Sequence, residues 1–349
     1  MLSPASQVKT FLCKATMKIS VAMPVRNEAS NVGELIRRLL DQTRPPDEIV
    51  ITDGGSTDRT AEIVSEFITN GAPLRLIRAG EALPGRGRNL AASAASNDWV
   101  AFIDAGIEPA KDWLEVLASR VESDSSVDVV YGAWEPIIDS FFAECAAISY
   151  VPPPTSRDGV ITRPRFIASS LMKQSVWRSV GGFPEDLRSG EDLLFMDRIE
   201  DAGFHFVFEP RALVRWHLRP TFATTFKRFV VYARNNIRAG LWRQWQAAIF
   251  TRYLFLFALL IVALAVAPRL LWIPFVLLLV MLLARAIVSI RRNRHCYPAS
   301  MGRNLKRLFV LVLLVATIDA AAIIGSIQWL LFDWVRGNGK TAVEAGNGA

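Results

Sequence analysis

Two long, nearly uncharged runs near the C-terminus constrain this chain more than any other feature. Residues 253–284 carry one charge, Arg269, and residues 308–332 carry one, Asp319. A bilayer span needs about 20 mostly apolar residues. The second run suits one span, 308–332. The first is too long for one and breaks at Pro268-Arg269, which predicts a helical hairpin over 249–267 and 270–289. A shallow hairpin that re-enters without crossing is the rival geometry. No amphipathic period interrupts either run, which argues against buried helices of a soluble domain.

The segment between them, 285–307, holds Arg285, Arg291, Arg292, Arg294, Arg303, Lys306 and Arg307 and no acid. The net charge is +7, so the rest of the chain sums to zero. Basic charge held between greasy runs marks a cytoplasmic loop; a nucleic-acid binder spreads it over a folded face, so no nucleic-acid partner is expected. Arg252 and Arg285 fall about one turn inside the membrane, where their side chains would snorkel to the headgroups. A third crossing puts the Gly-rich tail, 333–349, outside as a disordered end. No signal pattern opens the chain, so everything before residue 249 is expected in the cytosol. That predicts a multi-pass protein of the inner (plasma) membrane with its catalytic domain cytoplasmic. Residues 220–248 interleave Lys227, Arg228, Arg234, Arg238 and Arg243 with Phe222, Phe226, Phe229, Tyr232, Trp242 and Trp245. This composition suits an interfacial amphipathic helix leading into the spans.

Cys13, Cys145 and Cys296 are far apart, odd in number and in no metal-like spacing. They exclude a disulfide scaffold and a zinc module and fit a reducing compartment.

Residues 1–17 form a loose N-terminal extension by pattern. From residue 18, strand and helix signals alternate: strands at 18–25, 48–53, 74–79 and 99–104, with helical spacing at Val32, Leu35, Ile36, Leu39 and Leu40, at Ile63, Val64, Phe67 and Ile68, and over 87–96. Asn31 and Glu34 read as a capping box. Such alternation means an α/β domain with a mostly parallel sheet. Ligands bind such sheets at the carboxyl ends of the strands. Asn27 and Glu28 follow the first strand, Asp53 ends the second and Asp104 the fourth. VPPPTSRDG, 151–159, reads as a mobile loop.

ISVAMPVRNEASNVGELI, DEIVITDGGSTDRTAEIV, GRGRNLAASAASNDWVAFIDAG and GGFPEDLRSGEDLLFMDRIEDAG resemble the family 2 glycosyltransferases, which have the GT-A fold. The resemblance covers about 18–217, with the GT-A domain expected over 18–219. It implies a nucleotide-sugar-binding domain that transfers sugar with inversion, assisted by a divalent metal, Mg2+ or Mn2+.

On that resemblance, Asp53 matches the position that contacts the donor base, and Pro24, Asn27 and Glu28 match the first nucleotide-contacting segment. Gly54 and Gly55 permit the turn and a close backbone approach. By itself, Asp53 also reads as a turn residue. Arg86 and Arg88 carry guanidinium groups suited to phosphate oxygens, and Arg88-Asn89 matches the family's pair. Gly85-Arg86-Gly87 is half of a dinucleotide fingerprint without its third glycine, so a nicotinamide site is weakly supported. The family's metal-holding Asp-x-Asp reads Asp104-Ala105-Gly106, so one carboxylate is missing. Asp104 can still hold a hard cation with phosphates and water, with Glu108 or His217 as helpers. Glu191-Asp192 matches the family's catalytic pair, with Asp192 as base; Ser189-x-x-Asp192 also reads as a capping box. RFIASSLMK, 165–173, would line the acceptor side. Asp319, an ionisable residue in a span, is a functional candidate by default.

The expected function is transfer from a UDP-linked sugar to a membrane-embedded lipid acceptor, such as polyprenyl phosphate or a lipid-linked saccharide. No Gln-x-x-Arg-Trp follows the Glu-Asp segment, which weighs against a processive synthase. The alternative is a catalytically silent nucleotide-sugar sensor or a scaffold for a glycan-assembly complex.

Overall fold

The computed structural model describes residues 17–157, 160–266 and 268–335. The expected extension, save Met17, and most of the expected tail lie outside the described residues.

The chain opens with β1 (Ile19–Val25), α1 (Val32–Leu40), β2 (Glu48–Asp53), α2 (Thr60–Thr69), β3 (Leu74–Arg78), α3 (Pro84–Ala94) and β4 (Trp99–Phe102). β1 pairs in parallel with both β2 and β4, and β2 with β3. A strand covered on both faces must be apolar on both. Accordingly Ile19, Val21 and Met23 enter one cluster with Leu35, Ile36, Leu39 and Trp113, while Ala22 joins Val50, Phe102, Tyr131 and Phe195 on the other face. The predicted capping box at α1 does not form. Asn31 donates its side-chain amide to Glu28 Oε2, 2.8 Å, and Glu34 pairs with Arg37 and Arg38. Two basic neighbours on its own helix offer Glu34 charged partners.

The sheet continues through β5 (Ile107–Pro109), β6 (Val129–Ile137), β9 (Ser170–Lys173) and β10 (Phe206–His217), with α4 (Trp113–Ser123), α5 (Phe141–Tyr150), α6 (Gln174–Ser179) and α7 (Glu191–Asp201) between. The expected loop at 151–159 ends instead in a small antiparallel pair, β7 (Thr155–Arg157) with β8 (Val160–Thr162). The eight-stranded order is β3-β2-β1-β4-β9-β6-β10-β5. Four of its seven pairings are parallel; β9 runs against both its neighbours, and β5 against β10.

After the sheet come α8 (Phe222–Arg238), the short α9 (Trp242–Trp245), α10 (Ala247–Val266), α11 (Trp272–Arg292) and α12 (Met301–Gln328), which runs on as a π-helical segment to Trp334. Three of these helices are long and apolar enough to cross a membrane. Asp319 is fully buried and holds the three together. It binds Arg285 of α11, with Nη2 to Oδ1 at 3.0 Å, and accepts from the Tyr253 hydroxyl of α10 at 3.1 Å. Arg285 therefore does not snorkel; a buried carboxylate offers it a better partner than the headgroups. The tail boundary also moves, because Asp333 is buried and bonded to Arg234.

α8 differs from the interfacial helix expected at 220–248. Phe222 packs on Phe142 and Phe229 on Tyr150, both in α5. Arg234 and Arg238 are held by Asp333 and Asp186. Half of its basic-aromatic pattern thus meets protein, because α5 presents matching rings and the segment after α12 and the loop before α7 present acids. Lys227, Trp242 and Trp245 stay exposed.

Candidate active site

The carboxyl ends of β1, β2 and β4 share one rim, because the three strands are parallel neighbours. Val25 sits opposite Asp53 in register. The loops that follow are laced together. Asn27 adopts a left-handed backbone, φ +55°, which Asn tolerates better than most residues. Its amide donates to Ser56 Oγ, 2.9 Å, and its Oδ1 accepts from the Thr57 amide, 2.8 Å. The Glu28 amide donates to Thr60 Oγ1, 2.8 Å. Asp53 is buried, and its Oδ1 accepts from the Ser56 amide, 2.9 Å, and hydroxyl, 2.6 Å. One Asp53 oxygen is therefore engaged in the turn. Gly55 has φ +81°, and a Cβ there would lie 2.9 Å from the Gly80 carbonyl oxygen, so the turn needs glycine on both counts. Pro24 sits in β1 with Gly87 of α3 against its ring.

The second half of the site is a buried ion cluster. Arg88, on α3, is 3% exposed. Its Nη2 donates to both oxygens of Asp104, 2.7 and 2.9 Å, and its Nη1 to Glu191 Oε1, 2.7 Å. Burial works against the Arg88 charge, but the carboxylates of Asp104, Glu191 and Asp192 outweigh it, so the guanidinium is held more firmly protonated than usual. Glu191 opens α7, with Gly190 as its N-cap. Burial first, then the neighbouring Asp192, pushes the Glu191 carboxyl up to about 7 against the pull of Arg88. Burial also raises Asp192; Arg88 opposes the rise and Asp104 adds to it. Two adjacent carboxyls that disfavour each other's ionisation titrate together rather than one by one. Glu191 Oε2 and Arg88 Nε are buried without a protein partner; they are polar atoms at which a ligand or water would find hydrogen bonds.

Several expectations change here. Arg88 is not free for a phosphate, because Asp104 and Glu191 occupy its fork. It holds the end of β4 to the start of α7. Arg86 remains exposed on the first turn of α3. The Ser189 capping box does not form: Ser189 Oγ has no partner, and Gly190 caps without a side chain. Gly85 serves packing. A Cβ there would lie 2.0 Å from the Pro184 carbonyl oxygen, so α3 and the loop before α7 touch backbone to backbone. Asn89 fastens the same loop. Its Oδ1 accepts from the Phe183 amide, 2.8 Å, and its Nδ2 donates to the Phe183 carbonyl, 2.9 Å. The motif's conformational role was invisible in the linear sequence, because its partners lie about ninety residues away. We expect Gly85→Ala to cost about 1–3 kcal/mol, the usual penalty for overpacking, read as a lowered midpoint of thermal unfolding. An unchanged midpoint would show that the loop moves aside freely.

Asp104 and His217 are not brought together. Among the described residues, no three His, Cys, Asp or Glu side chains are placed to hold an ion. Asp104 has both oxygens on Arg88. His217 is exposed at the end of β10 and faces Asp139, 3.3 Å, and Glu108, 3.4 Å, rather than Asp104. The β5–β10 pairing aligns Arg215 with Glu108 and so brings His217 beside that acid. Gly106 has φ +78°, and a Cβ there would point at Asn31 Nδ2, 3.7 Å, and Glu28 Oε2, 3.9 Å. The absent second carboxylate would thus stand beside Glu28. Nor is the 165–173 segment mainly a site wall. Arg165 pairs with Asp197 and Glu200 of α7, and Ser169 to Met172 are buried in the sheet.

Residues 20–158 match the sequence profile described as glycosyl transferase family 2. The chain is 31% identical over 196 residues to glycosyltransferase AglE of Haloferax volcanii, covering 54% of this chain and 64% of that protein. It is 28% identical over 218 residues to the pre-mycofactocin glycosyltransferase of Mycobacterium tuberculosis, covering 56% of this chain and 42% of that one. The match thus spans less than two thirds of either relative. Among solved structures, the mannosyltransferase PcManGT from Pyrobaculum calidifontis, in complex with GDP-Man and Mn2+, aligns with TM-score 0.51 and 19% identity over 90% of this chain and 87% of that chain. That likeness supports the fold.

Proposed function

From a chain whose residues 20–158 match the glycosyl transferase family 2 profile, we propose an inverting transferase. It moves a sugar from a nucleotide-sugar donor, UDP-linked, onto a lipid acceptor at the cytoplasmic face of the inner membrane. The observation that carries this reading is geometric: Arg88 holds Glu191, and with it the first turn of α7 that carries Asp192, against Asp104 at the strand-end rim.

An inverting transfer needs one group to take the proton of the attacking hydroxyl. Asp192 is that base. Its neighbour Glu191, anchored on Arg88, fixes the first turn of α7 and so the direction of the Asp192 carboxylate. Asp53, with Pro24, Asn27, Glu28 and Gly55, forms the base and ribose side. Arg86 is the cation left for the diphosphate. A raised carboxyl pair suits a hydroxyl acceptor better than a phosphate, which is already an anion. This favours a lipid-linked saccharide over polyprenyl phosphate.

The pH dependence follows from the direction of the shift. The base must be deprotonated; burial raises Asp192, and its neighbour Glu191 is pushed up to about 7. The value of kcat/KM is therefore expected to rise with pH to a plateau, with a midpoint about 7 that belongs to the pair. A midpoint near 4 would remove Asp192 from the role. The direct test is purified full-length protein with labelled nucleotide-sugars and membrane lipid extract. Label carried into the lipid phase supports the reading, and nucleotide binding without turnover would identify a silent sensor.

A further inference from the structure

α12, counted to Trp334, has 34 residues and is about 50 Å long at ~1.5 Å per residue. Length and apolarity alone suit a crossing of the ~30 Å hydrocarbon core. Its attachments do not. At its start, Arg303 and Arg307 both bind the buried Glu144 of α5, with Arg307 Nε to Oε1 at 2.6 Å. Leu311 and Leu314 then complete a cluster with Cys145 and Ile148 of the same helix. At its far end, Asp333 binds Arg234 of α8, 2.7 and 3.0 Å. The next residue, Asn235, accepts the Arg188 amide at 3.0 Å, and Ala239 and Leu241 pack on Leu187, just before α7. Between the two ends, Gly325 admits α8 so closely that a Cβ would lie 2.4 Å from the Val230 carbonyl oxygen.

α5 and α7 belong to one folded domain. A helix fastened to that domain at both ends cannot place one end across a bilayer. The face of α12 turned away from α5 and α8 is apolar and exposed, with Leu305, Phe309, Leu313, Ile324, Ile327 and Leu331 at helical spacing. The α10–α11 hairpin joins α12 at the Tyr253–Asp319–Arg285 junction. Beyond it the two arms expose Phe255, Phe257, Leu264, Phe275 and Leu279. The exposed stripe is thus continuous with a segment greasy enough to enter lipid, and exposed Arg303 and Lys306 flank it near anionic headgroups.

We propose that α12 lies in the plane of the membrane surface, its stripe sunk at the boundary of headgroups and acyl chains, and that only the α10–α11 hairpin enters the bilayer. The end of the chain then stays on the side of the catalytic domain. This replaces the third crossing expected from composition. It rests on the helix attachments and not on the transfer reaction.

The test uses the full-length chain in phosphatidylethanolamine–phosphatidylglycerol vesicles, with Cys13 and Cys296 replaced by Ser and nitroxide labels at Leu305→Cys, Ala320→Cys or Leu331→Cys. Power saturation with oxygen and a nickel chelate reads depth. An in-plane helix gives one shallow depth at all three sites, about 5–10 Å. A crossing helix gives about 15 Å at 320 and near-surface values at both flanks, which would overturn the proposal, as would water exposure at all three. Independently, a cysteine appended after Ala349 and one at Arg37→Cys, probed with impermeant maleimide in oriented sealed vesicles, are expected to label together. Protection of one alone would overturn it too.

Discussion

Asp192→Asn is expected to lower kcat about 1,000-fold, within the range that a positioned general base supplies and equivalent to about 4 kcal/mol of barrier. The substitution keeps shape and hydrogen bonding but removes the ability to take a proton. Donor affinity, read by nucleoside-diphosphate thermal shift, should stay within about threefold, since the donor loops lie at β1 and β2. The acid limb should move to lower pH, because Glu191 keeps its burial but loses the neighbouring carboxylate that helps raise it. Turnover within tenfold of the parent would remove Asp192 from the base role.

Arg88→Met should produce the largest loss of stability. Arg88 and Glu191 side chains are 4% and 5% exposed, so removing the cation leaves a buried carboxylate unpaired. Breaking such a pair costs about 3–5 kcal/mol, a fall in unfolding midpoint on the order of 10 °C for a domain of this size. A second change separates electrostatics from packing. Adding Glu191→Gln removes the unpaired charge, so the double variant should regain much of the loss. If it does not, the Arg88 contribution is the fit of its side chain, including its place over the Phe183 ring at 5.5 Å.

The parallel strands and the rim were legible because their signals are local. β2 is bounded where the apolar run EIVITD is bounded, and Asp53 and Asp104 follow strands whose direction is set by the crossovers between them. What failed were local readings overruled from afar. Asn31–Glu34 and Ser189–Asp192 have capping-box spacing, yet nearby charges claim Glu34, and Gly190 takes the α7 cap. Arg88 resembles a phosphate ligand until α7, 103 residues on, brings Glu191 against it. Apolar runs announce that a helix meets lipid, but not its orientation. That depends on Glu144, about 160 residues before its arginine partners.

The Glu144 attachment has a consequence for biosynthesis. α5 packs Cys145 and Ile148 against Ala286, Leu311 and Leu314, so the α/β domain borrows two much later helices to cover α5. A nascent chain that has emerged only through β10 still lacks the arginines that neutralise Glu144. The surroundings of α5 are therefore complete only after α12, whose Arg307 lies 163 residues beyond Glu144, has been made.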